Sequence, residues 1–143
     1  MNKLFYMSTH ISAYINFNGK CREAMTFYQQ SLGGTLEFQT VAESPVAGQM
    51  PPSMKDQIVH STLTSGDLKI MASDLTRGPF ATGNNITLAV HCSSEEEIRR
   101  FFNNLSQGGE IADQLQVMFW GDLFGSLVDK FGIPWLFNLP LKK

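Results

Sequence analysis

A pattern that occurs twice leaves few folds open to this chain. An alternating strand is followed by an amphipathic helix, a Gly-Gly pair and three further strand-like segments, and then the series repeats. The pairs Gly33-Gly34 and Gly108-Gly109 stand at equivalent points, 75 residues apart. Long-period self-similarity marks a duplicated supersecondary unit. Two βαβββ units predict an α+β fold whose strands form a curved mixed sheet with the helices on its outer face. The boundaries read as an N-terminal tail 1–10, a first module 11–76, a linker 77–85 and a second module 86–140, together a single domain 11–140.

In the first unit, Ile11, Ala13, Ile15 and Phe17 recur with period two, the pattern of a half-buried strand. Asn18-Gly19 breaks it, and Asn18 is a candidate helix N-cap. Cys21, Ala24, Met25, Tyr28 and Leu32 then fall on one helical stripe. Gly33-Gly34 ends the helix, since glycine adopts the left-handed conformation without a side-chain penalty. Thr35–Val41 reads as a strand, Glu43–Asp56 as an irregular loop. Ile58–Thr64 and Leu68–Ser73 make a hairpin around Ser65-Gly66-Asp67. The parity of a two-residue turn puts Val59 and Leu63 on the core face with Leu68, Ile70 and Ala72. It puts His60, Thr62 and Thr64 on the other face with Lys69, Met71 and Ser73.

The second unit repeats this. Ile86, Leu88, Val90 and Cys92 alternate. Ser93-Ser94 with Glu96-Glu97 gives two overlapping capping boxes before the stripe Ile98, Phe101, Phe102, Leu105. Leu115, Val117 and Phe119 alternate, and Leu123–Val128 and Ile133–Asn138 flank a turn at Asp129–Gly132. Most of the aromatic residues Phe119, Trp120, Phe124, Phe131, Trp135 and Phe137 should be core.

A net charge of −2 gives no electrostatic footprint for nucleic acid, and basic residues adjoin only at Arg99-Arg100 and Lys142-Lys143. No apolar run reaches the roughly 18 residues that cross a bilayer, and the apolar stretch near Met1 is too short for a signal-peptide core. Cys21 and Cys92 match no metal or redox spacing. They are expected to be free thiols in a cytoplasmic protein.

The run Tyr14-Ile15-Asn16-Phe17-Asn18-Gly19-Lys20-Cys21-Arg22-Glu23-Ala24 resembles the opening signature of PhnB-like proteins of the glyoxalase/bleomycin-resistance (vicinal oxygen chelate) superfamily. Ile70–Asp74, Phe119-Trp120-Gly121 and Asp129-Lys130-Phe131-Gly132 with Trp135 and Asn138 resemble its later motifs. The resemblance runs from Ile11 to Asn138. It implies a paired βαβββ fold, a homodimer, and in some relatives modules exchanged between chains. Metal-using relatives draw four ligands from the first and last strands of both repeats. Those positions map here to Ser12 or Ala13, Met71, Asn85 or Thr87, and Leu136. Met71 and Leu136 offer no imidazole, thiolate or carboxylate, so no metal and no other cofactor is expected. Some relatives carry a demethylubiquinone methyltransferase label, but no G-x-G-x-x-G turn for a nucleotide-type cofactor follows a strand here.

His60 is the candidate catalytic residue, a general base or orienting group beside Met71 and Ser73. The plain alternative is a hydrogen-bonded strand histidine. Tyr14, Asn16 and Thr62 should share the concave face, as should Met71 and Ser73. Thr87, Leu136 and Asn138 should do so from the second module, with Trp120 as a pocket wall. A one-residue slip in the first strand would exchange Tyr14 for Ile15. His91 reads as a rim residue, His10 as solvated, Asp74 as a capping or turn residue, and Glu95–Glu97 as a helix start favoured by the macrodipole. Two functions follow: a metal-free pocket doing chemistry on a small molecule, or a non-catalytic dimer that sequesters one in the manner of bleomycin-resistance proteins.

Overall fold

The computed structural model describes residues 8–76 and 78–141. Most of the N-terminal tail, Arg77 in the linker and the Lys142-Lys143 pair lie outside the described residues.

The chain folds as α+β with two βαβββ modules. The first contains β1 (Ala13–Asn16), α1 (Cys21–Leu32), β2 (Thr35–Thr40), β3 (Ile58–Ser65) and β4 (Leu68–Ser73). The second contains β5 (Leu88–His91), α2 (Glu95–Leu105), β6 (Glu110–Val117), β7 (Asp122–Val128) and β8 (Pro134–Pro140). Each module builds its own mixed four-stranded sheet, β1-β4-β3-β2 and β5-β8-β7-β6, in the same order. β1 runs parallel to β4 and β5 parallel to β8, while the hairpin partners are antiparallel.

Both helical stripes are buried as their spacing requires. Cys21, Ala24, Met25 and Tyr28 are fully buried, as are Ile98 and Leu105, and they join one core with Phe137 and Trp135. The two helices also pack on each other, so the modules share one interior. The helices take one face of each sheet and leave the other faces part-exposed.

The helices start differently. Ser94 caps α2 by accepting from the Glu97 amide at 3.1 Å, while Glu97 accepts from the Ser93 amide at 2.9 Å. At α1 the expected Asn18 cap is absent. Asn18 sits at φ 51°, and Lys20 is the residue before the helix. Asp74, buried at the end of β4, reaches across instead. Its Oδ1 accepts from the Gly19 and Cys21 amides at 2.8 Å each, and its Oδ2 from the Ile58 amide at 3.0 Å. A buried carboxyl satisfies the orphan donors that a local side chain would have taken.

The two Gly-Gly pairs have a packing role beyond helix termination. A Cβ on Gly34 would stand 2.2 Å from the Thr64 carbonyl oxygen, and one on Gly109 would stand 2.3 Å from that of Val128. In each module the strand after the helix begins pressed against the backbone of its own hairpin.

Other expectations fail at strand ends. Ile11 is 98% and Ile86 71% exposed, because β1 and β5 begin two residues later than the alternation implies. The register shifts between Gln39 and Thr40, which pair with His60 and Ile58. That bulge at Val59 turns Ile58 into the core in its place. Val117, Phe119 and Trp120 are exposed, since β6 ends at Val117 and the aromatic pair caps the following turn.

Burial also governs the thiols. Desolvation pushes both Cys21 and Cys92 up to about 11, and burial with a neighbouring Asp129 drives Tyr28 higher still. A proton held more tightly in the fold stabilises it in full below the unfolded pKa and progressively less up to the folded one. Unfolding free energy should therefore fall as pH climbs from about 9 to about 11. The same burial predicts that neither thiol reacts with a disulfide reagent at pH 8 until denaturant is added. A pH series of urea melts and a thiol titration check both.

Candidate functional site

The uncovered face of the first sheet is set by the β3–β4 hairpin and by the strands that pair on either side of it. Tyr14 pairs with Met71, Met71 with Thr62, and Thr62 with Glu37, giving one row across four strands. Gln39 pairs with His60 in the next row. The first-strand register is the one that presents Tyr14, which is 55% exposed, while Ile15 packs against the core.

On this face three predicted residues meet. The Tyr14 hydroxyl lies 3.4 Å from His60 Nδ1, and Thr62 Oγ1 lies 3.2 Å from His60 Nε2. The Tyr14 and His60 rings stand 5.8 Å apart between centroids. Both ring nitrogens are engaged, so a neutral imidazole donates on one side and accepts on the other. A histidine held this way can orient a polar ligand or pass a proton toward the exposed phenol.

Two neighbours turn out to be committed elsewhere. Ser73 is buried, donating to the Ile58 carbonyl at 3.4 Å and accepting from the Leu75 amide at 3.0 Å. Asn16 donates to the Leu75 carbonyl and accepts from the Asn18 amide, which ties it into the turn after β1. Both corrections share one cause: a strand end donates its polar side chains to the turn that follows it.

The second sheet's uncovered face carries the remaining candidates. Leu136 pairs with Ala89 and with Ser126, and Asn138 with His91 and Phe124. Asn138 donates to Asp122 at 2.9 Å, and Ser126 donates to Asp113 at 2.6 Å. Thr87 is exposed and precedes β5 rather than lying on it. Trp120 stands against Phe119 and Phe124, its ring centroid 4.8 and 6.1 Å from theirs. His91 belongs to this sheet, while His60 belongs to the other, so the described chain does not pair them. His10 lies 3.1 Å from the Ser8 carbonyl through Nδ1.

Glu37, Gln39, Asp113 and Ser126 were missed. The long connection from β2 to β3 sets no register by itself, so nothing in the sequence aligned Glu37 with Thr62. β6 has register shifts on both sides of Asp113, which hide its alternation.

The metal positions of the wider superfamily do not fit here. Met71 and Leu136 stand among Tyr14, Thr62, Ala89 and Ser126, none a carboxylate or imidazole. Among the described residues no three His, Cys, Asp or Glu side chains gather as a metal site would require.

Residues 9–137 match the family model described as 3-demethylubiquinone-9 3-methyltransferase. The chain belongs to this PhnB-like family. Protein YjdN of Escherichia coli is 32% identical, the match covering 90% of this chain and 94% of that protein. The crystal structure of protein PA1353 from Pseudomonas aeruginosa is similar at TM-score 0.81 and 37% identity, over 93% of this chain and 98% of that one. A Bacillus cereus PhnB protein described as a putative 3-demethylubiquinone-9 3-methyltransferase aligns at TM-score 0.69 and 28% identity, over 92% and 99%. A Burkholderia phytofirmans protein of the glyoxalase/bleomycin resistance protein/dioxygenase family, 13% identical at TM-score 0.60 over 92% and 96%, shares the fold alone. The architecture is thus that of the glyoxalase/bleomycin-resistance fold. No helix among the described residues is long and apolar enough to cross a membrane.

Proposed function

We propose that this PhnB-like protein holds a small molecule, without a metal ion, against the sheet face that carries Tyr14, His60 and Thr62. The observation that supports this reading best is the cluster itself: a histidine engaged at both nitrogens beside an exposed phenol and the soft side chain of Met71. Sites for small molecules combine apolar walls with a few convergent polar groups and bury about 70–90% of the ligand. One uncovered sheet face cannot enclose that much. The reading therefore includes a homodimer in which a second copy sets its other sheet face, with Leu136, Asn138 and Trp120, opposite this one. A cytoplasmic location belongs to the same reading, in keeping with two buried free thiols.

In the catalytic version His60 takes or returns a proton on the ligand while Tyr14 and Thr62 hold its ring. The rival is a sequestering dimer with the same walls and no chemistry, favoured by the exposed aromatic pair Phe119-Trp120. Methyl transfer, named in the family description, is the weaker reading, since neither opening strand leads into a G-x-G-x-x-G turn.

A thermal-shift screen of small molecules supplies the test, because a ligand of the folded state must raise the melting temperature. His60→Ala should keep the fold and lower any turnover about 10²–10⁴-fold, the usual contribution of an acid–base group. Unchanged binding and turnover in both His60→Ala and Thr62→Val would refute the site. Ni²⁺, Zn²⁺ and Mn²⁺ should leave the melting temperature where it is; a strong rise would refute the metal-free reading.

A further inference from the structure

We propose that a second site lies in the groove between the two modules and that it takes an amphipathic anion, an apolar chain or ring ending in an acidic group. The groove follows β1, the approach to β5 and the turn between β7 and β8, with a volume of about 910 Å³. Pockets for small organic ligands run from about 300 to 1,000 Å³. Its apolar walls include Ile11, Ile15, Phe80, Ile86, Phe131 and Ile133. Ile11, Ile86 and Phe80 are 98%, 71% and 42% exposed, so apolar surface lies open to water here. Covering it is favourable at about 25 cal/mol per Å².

Charge decides what covers it. Among the described lining residues the only charged ones are Lys20 and Lys130, and no carboxylate is present. That is a local reversal in a chain with 13 Asp and Glu against 11 Lys and Arg. Lys130 is stationed rather than free-swinging. Its ammonium sits 5.6 Å from the ring centroid of Phe131, which lines the groove. It sits 4.4 Å from that of Phe27, which lines an adjoining hollow with Glu23, Asp56 and Asp74, so the aromatic faces hold the cation at the groove's edge. Among the described lining residues an acidic head group finds two positive partners and no like charge. A cationic one finds two repulsions and, among the described lining residues, no carboxylate to offset them. The apolar remainder lies along the isoleucines and phenylalanines.

This site does not depend on the reading given to His60. Tyr14 lines both regions, whereas His60, Thr62 and Met71 do not line the groove.

Isothermal titration with dodecanoate, kept below its micelle threshold, tests the proposal against dodecyltrimethylammonium as the charge-reversed probe. Dodecanoate should bind saturably and the cation at least about tenfold more weakly. Lys20→Gln and Lys130→Gln should each weaken dodecanoate about fivefold, the scale of one exposed charge pair, with the circular dichroism unchanged. Ile86→Asp, at an exposed position, should abolish binding by placing a carboxylate in the groove. His60→Ala should leave dodecanoate binding as it was. Equal binding of the cation overturns the proposal, as does indifference to both lysine substitutions or loss on His60→Ala. A wild-type dimer that Ile86→Asp splits, with no dodecanoate bound by either form, also overturns it, because the groove is then an interface between copies.

Discussion

Replacing Asp129 with alanine should lower the unfolding free energy by about 3–5 kcal/mol, because four donors lose their acceptor at once. Asp129 is buried at the end of β7. Its Oδ2 accepts from the Tyr28 hydroxyl at 2.6 Å and from Trp135 Nε1 at 2.8 Å. Its Oδ1 accepts from the amides of Phe131 at 2.8 Å and Ile133 at 3.0 Å. Tyr28 and Trp135 are fully or almost fully buried, with ring centroids 5.5 Å apart, so a donor left without the carboxyl bears the cost of burial. Tyr28 belongs to α1 of the first module, so the substitution also removes a bond between modules. Asp129→Asn should cost less, about 1–2 kcal/mol. Its amide nitrogen cannot accept from Trp135, but the tyrosine hydroxyl can rotate to accept from it. Urea melts of both variants measure the difference. A loss under about 1 kcal/mol in the alanine variant would show that water or a shifted side chain takes over the donors.

Gly34→Ala should cost about 3–5 kcal/mol or prevent folding, since the new methyl would overlap the hairpin backbone of its own module. The obstruction is a carbonyl oxygen 2.2 Å away, with Ser65 Cα at 2.8 Å, and neither belongs to a flexible side-chain end. The residue also sits at φ +97°, which adds strain. Two comparisons separate these causes. Gly109 has the same close approach without positive φ, 2.3 Å from the Val128 carbonyl oxygen, so Gly109→Ala should be nearly as damaging. Gly66 has φ +60° with nothing within 4 Å, so Gly66→Ala should lose only about 1–2 kcal/mol of conformational strain. If all three fall together, the close approach is not what selects glycine here.

Much of the fold was legible because its signals are local and periodic. The helix stripes of Cys21–Leu32 and Ile98–Leu105 needed only a period of 3.6 residues, and the face of His60 needed only a two-residue turn and counting. That same parity sets Thr62 beside His60, whereas Tyr14 joins them from a strand whose register only the parallel pairing of β1 with β4 fixed. Where no short turn links two strands, parity is lost. Glu37 could not be set beside Thr62, nor Asp113 beside Ser126, and the bulge at Val59 reversed a core position without any signal in composition.

By itself the sequence determined the duplicated βαβββ plan, the helix faces and the hairpin register. These follow from chain geometry over a few residues, which every local window expresses. Only the tertiary structure decided that Asp74 caps α1 across the module, that Asp129 ties α1 to the second hairpin, and that Ser73 and Asn16 are absorbed by a turn. It alone set Lys20 and Lys130 along one apolar groove. Those contacts join residues far apart in the chain, and which acceptor lies nearest a buried donor is settled only when the modules pack.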